Sequence, residues 1–301
     1  HSGPGAYGAR FFEKISMGHY DPEVFEAIAG HIVHAITAAH RVLSPIRVAF
    51  RSSLTSGLVE NRVAAGGDTD AELTVYAMYR PGETDPLGVV VGFAAHPTTL
   101  GAWNRQLSAD YPGVIAREVE RRDPSSTCLF FPGSVGDQAP VKQGSEYEPA
   151  ERLGTQLAAH VIALLDRVPL QPADSLRVLQ ESLPLPPARV RMNRLVLPRW
   201  LSERFVDDEA QLSLLAIGET MFIGVPCDLT ASLGGQLKAA ARARGFHPVI
   251  VGFANDYIGY CIPAALYGQP DYESSMAFNG PRAGEMVVNR LKEMIGRLGE
   301  R

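Results

Sequence analysis

"GVVVGFAAHPTTLGAWNRQLSADYPGVIAREVERRDPSSTCLFF", residues 88–131, holds the pattern that decides the fold. An apolar β-type run ends at a histidine and a polar loop follows. A helix is predicted over 110–122, and "TCLFF" is a second apolar run. Strand, helix and strand in this order form the unit from which α/β proteins build parallel pairs. The rest of the chain repeats these ingredients in a looser order. Helices are predicted near 147–167, 228–244 and 281–298. Another begins at Asp21-Pro22, an N-cap and a first-turn proline followed by Val24, Ile28, Ile32 and Ile36 at every fourth position. The remaining β-type runs are "IRVAF", "ELTVYAMY", "LRVLQESL", "LSLLAIG", "TMFIGV" and "PVIVGFA". Some alternate with helices and others are neighbours, which predicts an α/β fold with a mixed sheet covered by helices. No Gly/Ser linker divides the chain, so the two halves are expected to share one sheet within a single domain over 1–301. No internal repeat is evident. The proline-rich segment over 184–205 reads as a cover loop.

Composition narrows the function classes. The 301 residues are 46% hydrophobic and 20% charged, enough to bury a sizeable core. A formal net charge of -5 argues against a nucleic-acid partner, whose phosphates need clustered Lys and Arg. No apolar run reaches the roughly 18–20 residues that span a bilayer. The three cysteines, Cys128, Cys227 and Cys261, are no disulfide framework, which favours a reducing, cytoplasmic setting. The chain opens on His1 and not on Met, without the regions of a signal peptide, as expected of a partial or processed product.

Four polar clusters follow apolar β runs, where loops of α/β proteins assemble sites. They are "FAAHPTTLGAWNRQLSADYPG", "FPGSVGDQAP", "GVPCDLT" and "GFANDYIGYCIPAALYGQPDYE". Residue type alone leaves alternatives open. His96 reads as a satisfied structural histidine or a ligand, Asp228 as an N-cap or a carboxylate in a site, and Tyr260 and Tyr272 as packing residues or site groups. Ser134 in "PGSVG" approaches the G-x-S-x-G nucleophile elbow, but "DQAPVKQ" after it cannot begin the helix that the elbow needs. The glycines of that loop instead permit positive φ or close backbone approach.

Taken together and in this order, the clusters resemble the neutral, non-lysosomal ceramidase family of zinc-dependent amidases. "HSGPGAYG" looks like the tail of that family's H-T-H-S-G-P motif, which makes His1 its second histidine, near the reacting carbonyl. The first, a zinc ligand, would precede His1. "FAAHPTTLG" resembles the second histidine motif and implies His96 as a zinc ligand. "VPCDLT" is similar to V-P-G-E-x-T, so Asp228 would take the place of a zinc-binding Glu with a side chain one methylene shorter. In "NDYIGYCIPAALYGQPDYE", Tyr260 matches the zinc-bound tyrosine, and Tyr272, twelve residues on, the tyrosine that supports the substrate amide. "ENR" offers Asn61 and Arg62 as the substrate-side pair. "GDQAP" resembles the family's G-D-x-S-P-N loop, placing Gly136, Asp137 and Ala139 at the substrate, with Ala139 where the family has a serine. Short bacterial-type relatives look similar in this respect.

The resemblance implies hydrolysis of a small-molecule amide or lipid through a zinc-activated water, zinc lowering the pKa of bound water from about 15.7 to about 7. His96, Asp228 and Tyr260 would hold the metal, and His1, Tyr272 and Arg62 would manage protons and developing charge. Two rival readings are a non-catalytic binding relative, motivated by Ala139 and Asp228, and a serine esterase using Ser134.

Overall fold

The structure, a computed structural model, describes residues 3–9, 14, 18–166, 170–192, 195–203 and 206–300. Helix α1 (Pro22–Arg41) starts as its sequence predicts, with the Asp21 side chain accepting from Glu23 N at 2.9 Å. Its apolar positions do not enter a core, however: none of its residues is buried, and Ile32 and Ile36 stand largely exposed. Good capping and periodicity make this a helix, but among the described residues nothing covers its apolar stripe.

The body contains two stacked sheets, where one was expected. The first has strand order β5-β4-β3-β1-β7 and is built from β1 (Arg47–Leu54), β3 (Glu72–Tyr79), β4 (Gly88–Phe93), β5 (Thr127–Pro132) and β7 (Gln171–Pro172). A small antiparallel pair, β2 (Val59–Asn61) with β6 (Gln138–Pro140), lies outside it. The second sheet has order β14-β12-β11-β8, from β8 (Leu176–Pro184), β11 (Glu209–Ile217), β12 (Thr220–Val225) and β14 (His247–Gly252). Each sheet is mixed. Its early strands pair antiparallel, and each then adds a parallel strand through a helix. The units are β4–α2–β5 with α2 at Asp110–Arg122, and β12–α5–β14 with α5 at Ala231–Arg242. A further helix follows each unit, α3 (Glu148–Leu165) and α7 (Ala283–Gly299). The halves thus repeat one order of elements.

Alternation along the strands builds four layers. Val75, Ala77, Val89 and Val91 face Tyr111, Ile115 and Val119 of α2 and Leu153, Leu157 and Val161 of α3. Leu212, Leu214, Ile223 and Val225 face Leu233 and Leu237 of α5 and Val287 and Leu291 of α7. Between the sheets lie Val48, Tyr76, Val90, Phe222 and Val249, with the Tyr76 and Phe222 rings edge-on at 5.2 Å. Every residue of β4 and β12 is buried, because each strand packs on helices with one face and on the other sheet with the opposite face. The segment over 184–205 contains the pair β9 (Arg191–Met192) and β10 (Leu195–Val196) and the short helix α4 (Arg199–Ser202). It covers a small cluster in which Ala188 and Val190 pack with Phe278.

Candidate functional site

The repeat sets the position of the site. His96 stands three residues beyond the end of β4 and Asp228 three beyond the end of β12, so equivalent loops of the two halves meet. His96 Nε2 is 2.9 Å from Asp228 Oδ1, and both side chains are buried. The His96 loop is fixed on both sides. Its N–H donates to Gln138 O at 3.3 Å, and Tyr111 OH donates to the preceding Ala95 O at 2.5 Å. Asp110, held at φ 54, accepts from Thr99 Oγ1 at 2.6 Å and from Leu100 N at 3.1 Å.

Asp228 begins β13 (Asp228–Leu229), which pairs parallel with β15 (Tyr260–Cys261) and sets Asp228 beside Tyr260. Gly259 makes this possible with φ 85, a conformation in which a side chain would strike Met276 O. The Tyr260 hydroxyl lies 3.5 Å from His96 Nε2 and accepts from an Arg62 nitrogen at 2.8 Å. Arg62 is itself held at two points. It donates to Gly136 O at 3.0 Å, and its Nε meets Glu273 Oε1 at 2.8 Å. Tyr272, first residue of α6 (Tyr272–Ser275), packs its ring edge-on to Tyr260 at 5.6 Å and is 59% exposed, which places it at the rim.

Sequence reading passed over two groups here. Tyr257 donates from its hydroxyl to Asp228 Oδ2 at 2.8 Å, and Glu273 anchors Arg62. Both sit inside quoted segments, Tyr257 three residues before Tyr260 and Glu273 next to Tyr272. Burial, reinforced by the Asp228 carboxylate, pushes the phenols of Tyr257, Tyr260 and Tyr272 above their ordinary range. In the metal-free chain all three are therefore protonated at neutral pH.

Asn61 and Asp137 commit their polar atoms to the chain itself. Asn61 Nδ2 donates to Asp137 Oδ2 at 3.0 Å and to Asp68 O at 2.9 Å, while its Oδ1 accepts from Val63 N and Ala64 N. Asp137 Oδ1 accepts from Ala231 N at 2.8 Å and so caps α5. Ala139 sits opposite Glu60 in the β2–β6 ladder. His1 lies outside the described residues. Ser134 is fully buried, a Cβ on Gly234 would collide with it, and among the described residues its hydroxyl has no partner. A serine nucleophile needs a base within hydrogen-bond reach. Cys227 and Cys261 are core residues, and burial raises the Cys227 thiol well above its ordinary value.

Gly136 is tightly constrained, because an added Cβ would lie 2.7 Å from Asp228 O and 2.9 Å from the Leu229 carbonyl carbon. Gly136→Ala is expected to destabilise by about 1–3 kcal/mol, since backbone is harder to move than a side chain. A thermal melt checks this.

Among the described residues Asp228 Oδ1, completely buried, accepts no hydrogen bond of regular geometry, although it lies 2.9 Å from His96 Nε2. Tetrahedral ligands on bonds of about 2.0–2.2 Å stand roughly 3.3–3.6 Å apart. The 3.5 Å between Tyr260 OH and His96 Nε2 matches, and the His96–Asp228 contact needs a small opening. Nitrogen and oxygen donors of these types are ones that zinc accepts. Among the described residues no three His, Cys, Asp or Glu side chains gather as a metal cluster, because the third donor is a tyrosine. The residues fit a hard, oxygen-accepting cation.

Fold and site together define an α/β protein whose polar centre lies where the strand-end loops of two stacked sheets converge. The chain has the neutral ceramidase fold and is similar in sequence, over part of its length, to neutral ceramidases. No protein-family model matches it. It is 25% identical over 166 residues to the neutral ceramidase of Mycobacterium tuberculosis, a match covering 48% of this chain and 26% of that protein. Against the neutral ceramidase of Drosophila melanogaster it is 26% identical over 115 residues, covering 36% of this chain and 16% of that one. The aligned stretches thus span about a quarter or less of these curated relatives. The crystal structure of the neutral ceramidase from Pseudomonas aeruginosa superposes with a TM-score of 0.85 at 20% identity, over 100% of this chain and 60% of that one. A ceramidase complexed with C2 gives 0.85 at 18% identity, covering 61% of its chain.

Proposed function

We propose that the chain hydrolyses an N-acyl amide bond at this site, with His96, Asp228 and Tyr260 holding a zinc ion. The convergence of these donors from both halves of the fold supports the reading above all else, Asp228 Oδ1 being buried without a regular hydrogen bond among the described residues. Zinc, when bound, would supply a Lewis acid, lower the pKa of a water toward neutrality, and offset the burial that keeps the Tyr260 phenol protonated. Tyr257 fixes the orientation of the Asp228 carboxylate. Arg62, braced by Glu273, sets a positive charge against the Tyr260 oxygen. Tyr272, protonated and at the rim, would donate to a developing oxyanion. Asn61, Gly136 and Asp137 form the frame behind Arg62, and Ala139 supplies no hydroxyl.

One zinc per chain, together with release of amine from an N-acyl amide that stops on chelation, is the expected result. Absence of metal and turnover in the intact protein would favour a binding relative that has lost catalysis. Tyr257→Phe removes one hydrogen bond to Asp228 and leaves the ring. It should weaken zinc affinity by about 10- to 100-fold, as for other groups that orient a ligand. Competition with a chelating dye measures this without reference to activity.

A further inference from the structure

Phe253, the residue after β14, has φ 58, and Asn255 has φ 67. Asparagine tolerates left-handed backbone, whereas for a bulky residue it is a true outlier that persists only where the surroundings impose it. Burial does not explain the strain, because Phe253 is 38% exposed. The ring stands beside the polar centre, its centroid 6.4 Å from that of His96 and 5.9 Å from that of Tyr257. Tyr257, also exposed, hydrogen-bonds to Asp228 by its hydroxyl and leaves ring area to solvent. A strained, half-open aromatic surface thus adjoins the buried His96–Asp228 pair. Such a surface offers ring area on which an apolar, flat group can be buried.

We propose that Phe253 and Tyr257 form an aromatic platform for an apolar, planar substituent of the amide substrate, which makes Phe253 a specificity-determining residue. This rests on the amide-hydrolase reading above. In the reaction the C–N bond breaks, the hydroxyl of water joins the acyl carbon and its proton goes to the amine. The platform holds a substituent and takes no part in that exchange.

Phe253→Gly tests the proposal, since glycine adopts left-handed backbone without strain and only the ring is lost. Two amide pairs locate the substituent: phenylacetyl against acetyl on a common amine, and benzylamine against methylamine on a common acetyl group. The wild type should prefer the aromatic member of at least one pair. In Phe253→Gly that ratio of kcat/KM should fall by about 10- to 100-fold, chiefly through KM, the range expected from losing burial of one apolar ring. Phe253→Tyr should retain it, and the melting temperature of Phe253→Gly should not drop. Unchanged ratios in both pairs, or an equal loss on every substrate, would overturn the proposal. If the wild type hydrolyses none of these amides, the hydrolase reading fails by itself. The platform is then judged by equilibrium binding of phenylacetamide, which Phe253→Gly must weaken at least about ten-fold; equal binding overturns it.

Discussion

His96→Ala is expected to abolish zinc retention and to lower kcat/KM for an N-acyl amide by about a thousand-fold or more. Two effects combine. The donor lost is the one shared by both short contacts of the centre, 2.9 Å to Asp228 and 3.5 Å to Tyr260, so the remaining oxygens no longer converge on a common point. The electrophile that zinc supplies contributes several kcal/mol of transition-state stabilisation, and each 1.36 kcal/mol is a factor of ten in rate. Because His96 is buried, its removal also leaves a void. Asp228→Asn, which keeps shape and removes charge, is the companion variant. It too should lose zinc, with the fold retained by circular dichroism. Full metal content and unchanged turnover in both variants would remove the proposed role of the centre.

The sequence carried the elements of the fold and lacked the information that stacks them. Every β-type run and every helix named from its pattern is found, because apolar alternation and capping are local signals. Two sheets in place of one could not be read in this way, since the same alternation serves a neighbour above the sheet or a helix. The internal repeat is a related case. "GFAAH" and "GVPCD" are its trace, with Gly92 opposite Thr74 and Gly224 opposite Ser213 in the two sheets. In each pair a side chain on the glycine would run into the facing hydroxyl residue. Different loop lengths before α2 and α5 hide the correspondence. For the site, family resemblance named His96, Asp228, Tyr260 and Arg62, which the structure brings together. Tyr257 and Glu273 were missed because their partners, Asp228 and Arg62, lie far off in sequence. Asn61 and Asp137 show the reverse: polar residues in a suggestive loop whose hydrogen bonds are directed into the chain.

Lys238→Ala is expected to destabilise the fold by about 3 kcal/mol, a large share of a typical total of about 5–15 kcal/mol. Lys238 on α5 reaches across to the first half, 2.7 Å from both Asp70 oxygens and 3.1 Å from Glu72 Oε2. Arg242, one turn on, adds a 2.6 Å contact to Glu72. The lysine and both carboxylates are nearly buried, so the variant leaves two anions together in a poorly solvated gap. Removing the buried cluster, by Lys238→Met with Asp70→Asn and Glu72→Gln, should cost less than removing the cation alone, because no buried charge is then left unpaired and the half-exposed Arg242 is left to solvent. The pH dependence has a definite sign. Burial alone would raise the Glu72 carboxyl, but Lys238 and Arg242 together outweigh it and hold the group below its ordinary range. Glu72 therefore contributes stability above its unfolded pKa of about 4.3, and that contribution disappears as pH falls through the lower folded value. Without Lys238 only Arg242 is left to oppose burial at Glu72, so acidification costs the variant less stability than it costs the wild type. The stability gap between the two, measured by urea unfolding, should be widest near neutrality and narrow on acidification below about pH 4. A gap independent of pH would show that the lysine acts through its aliphatic stem and not through its charge.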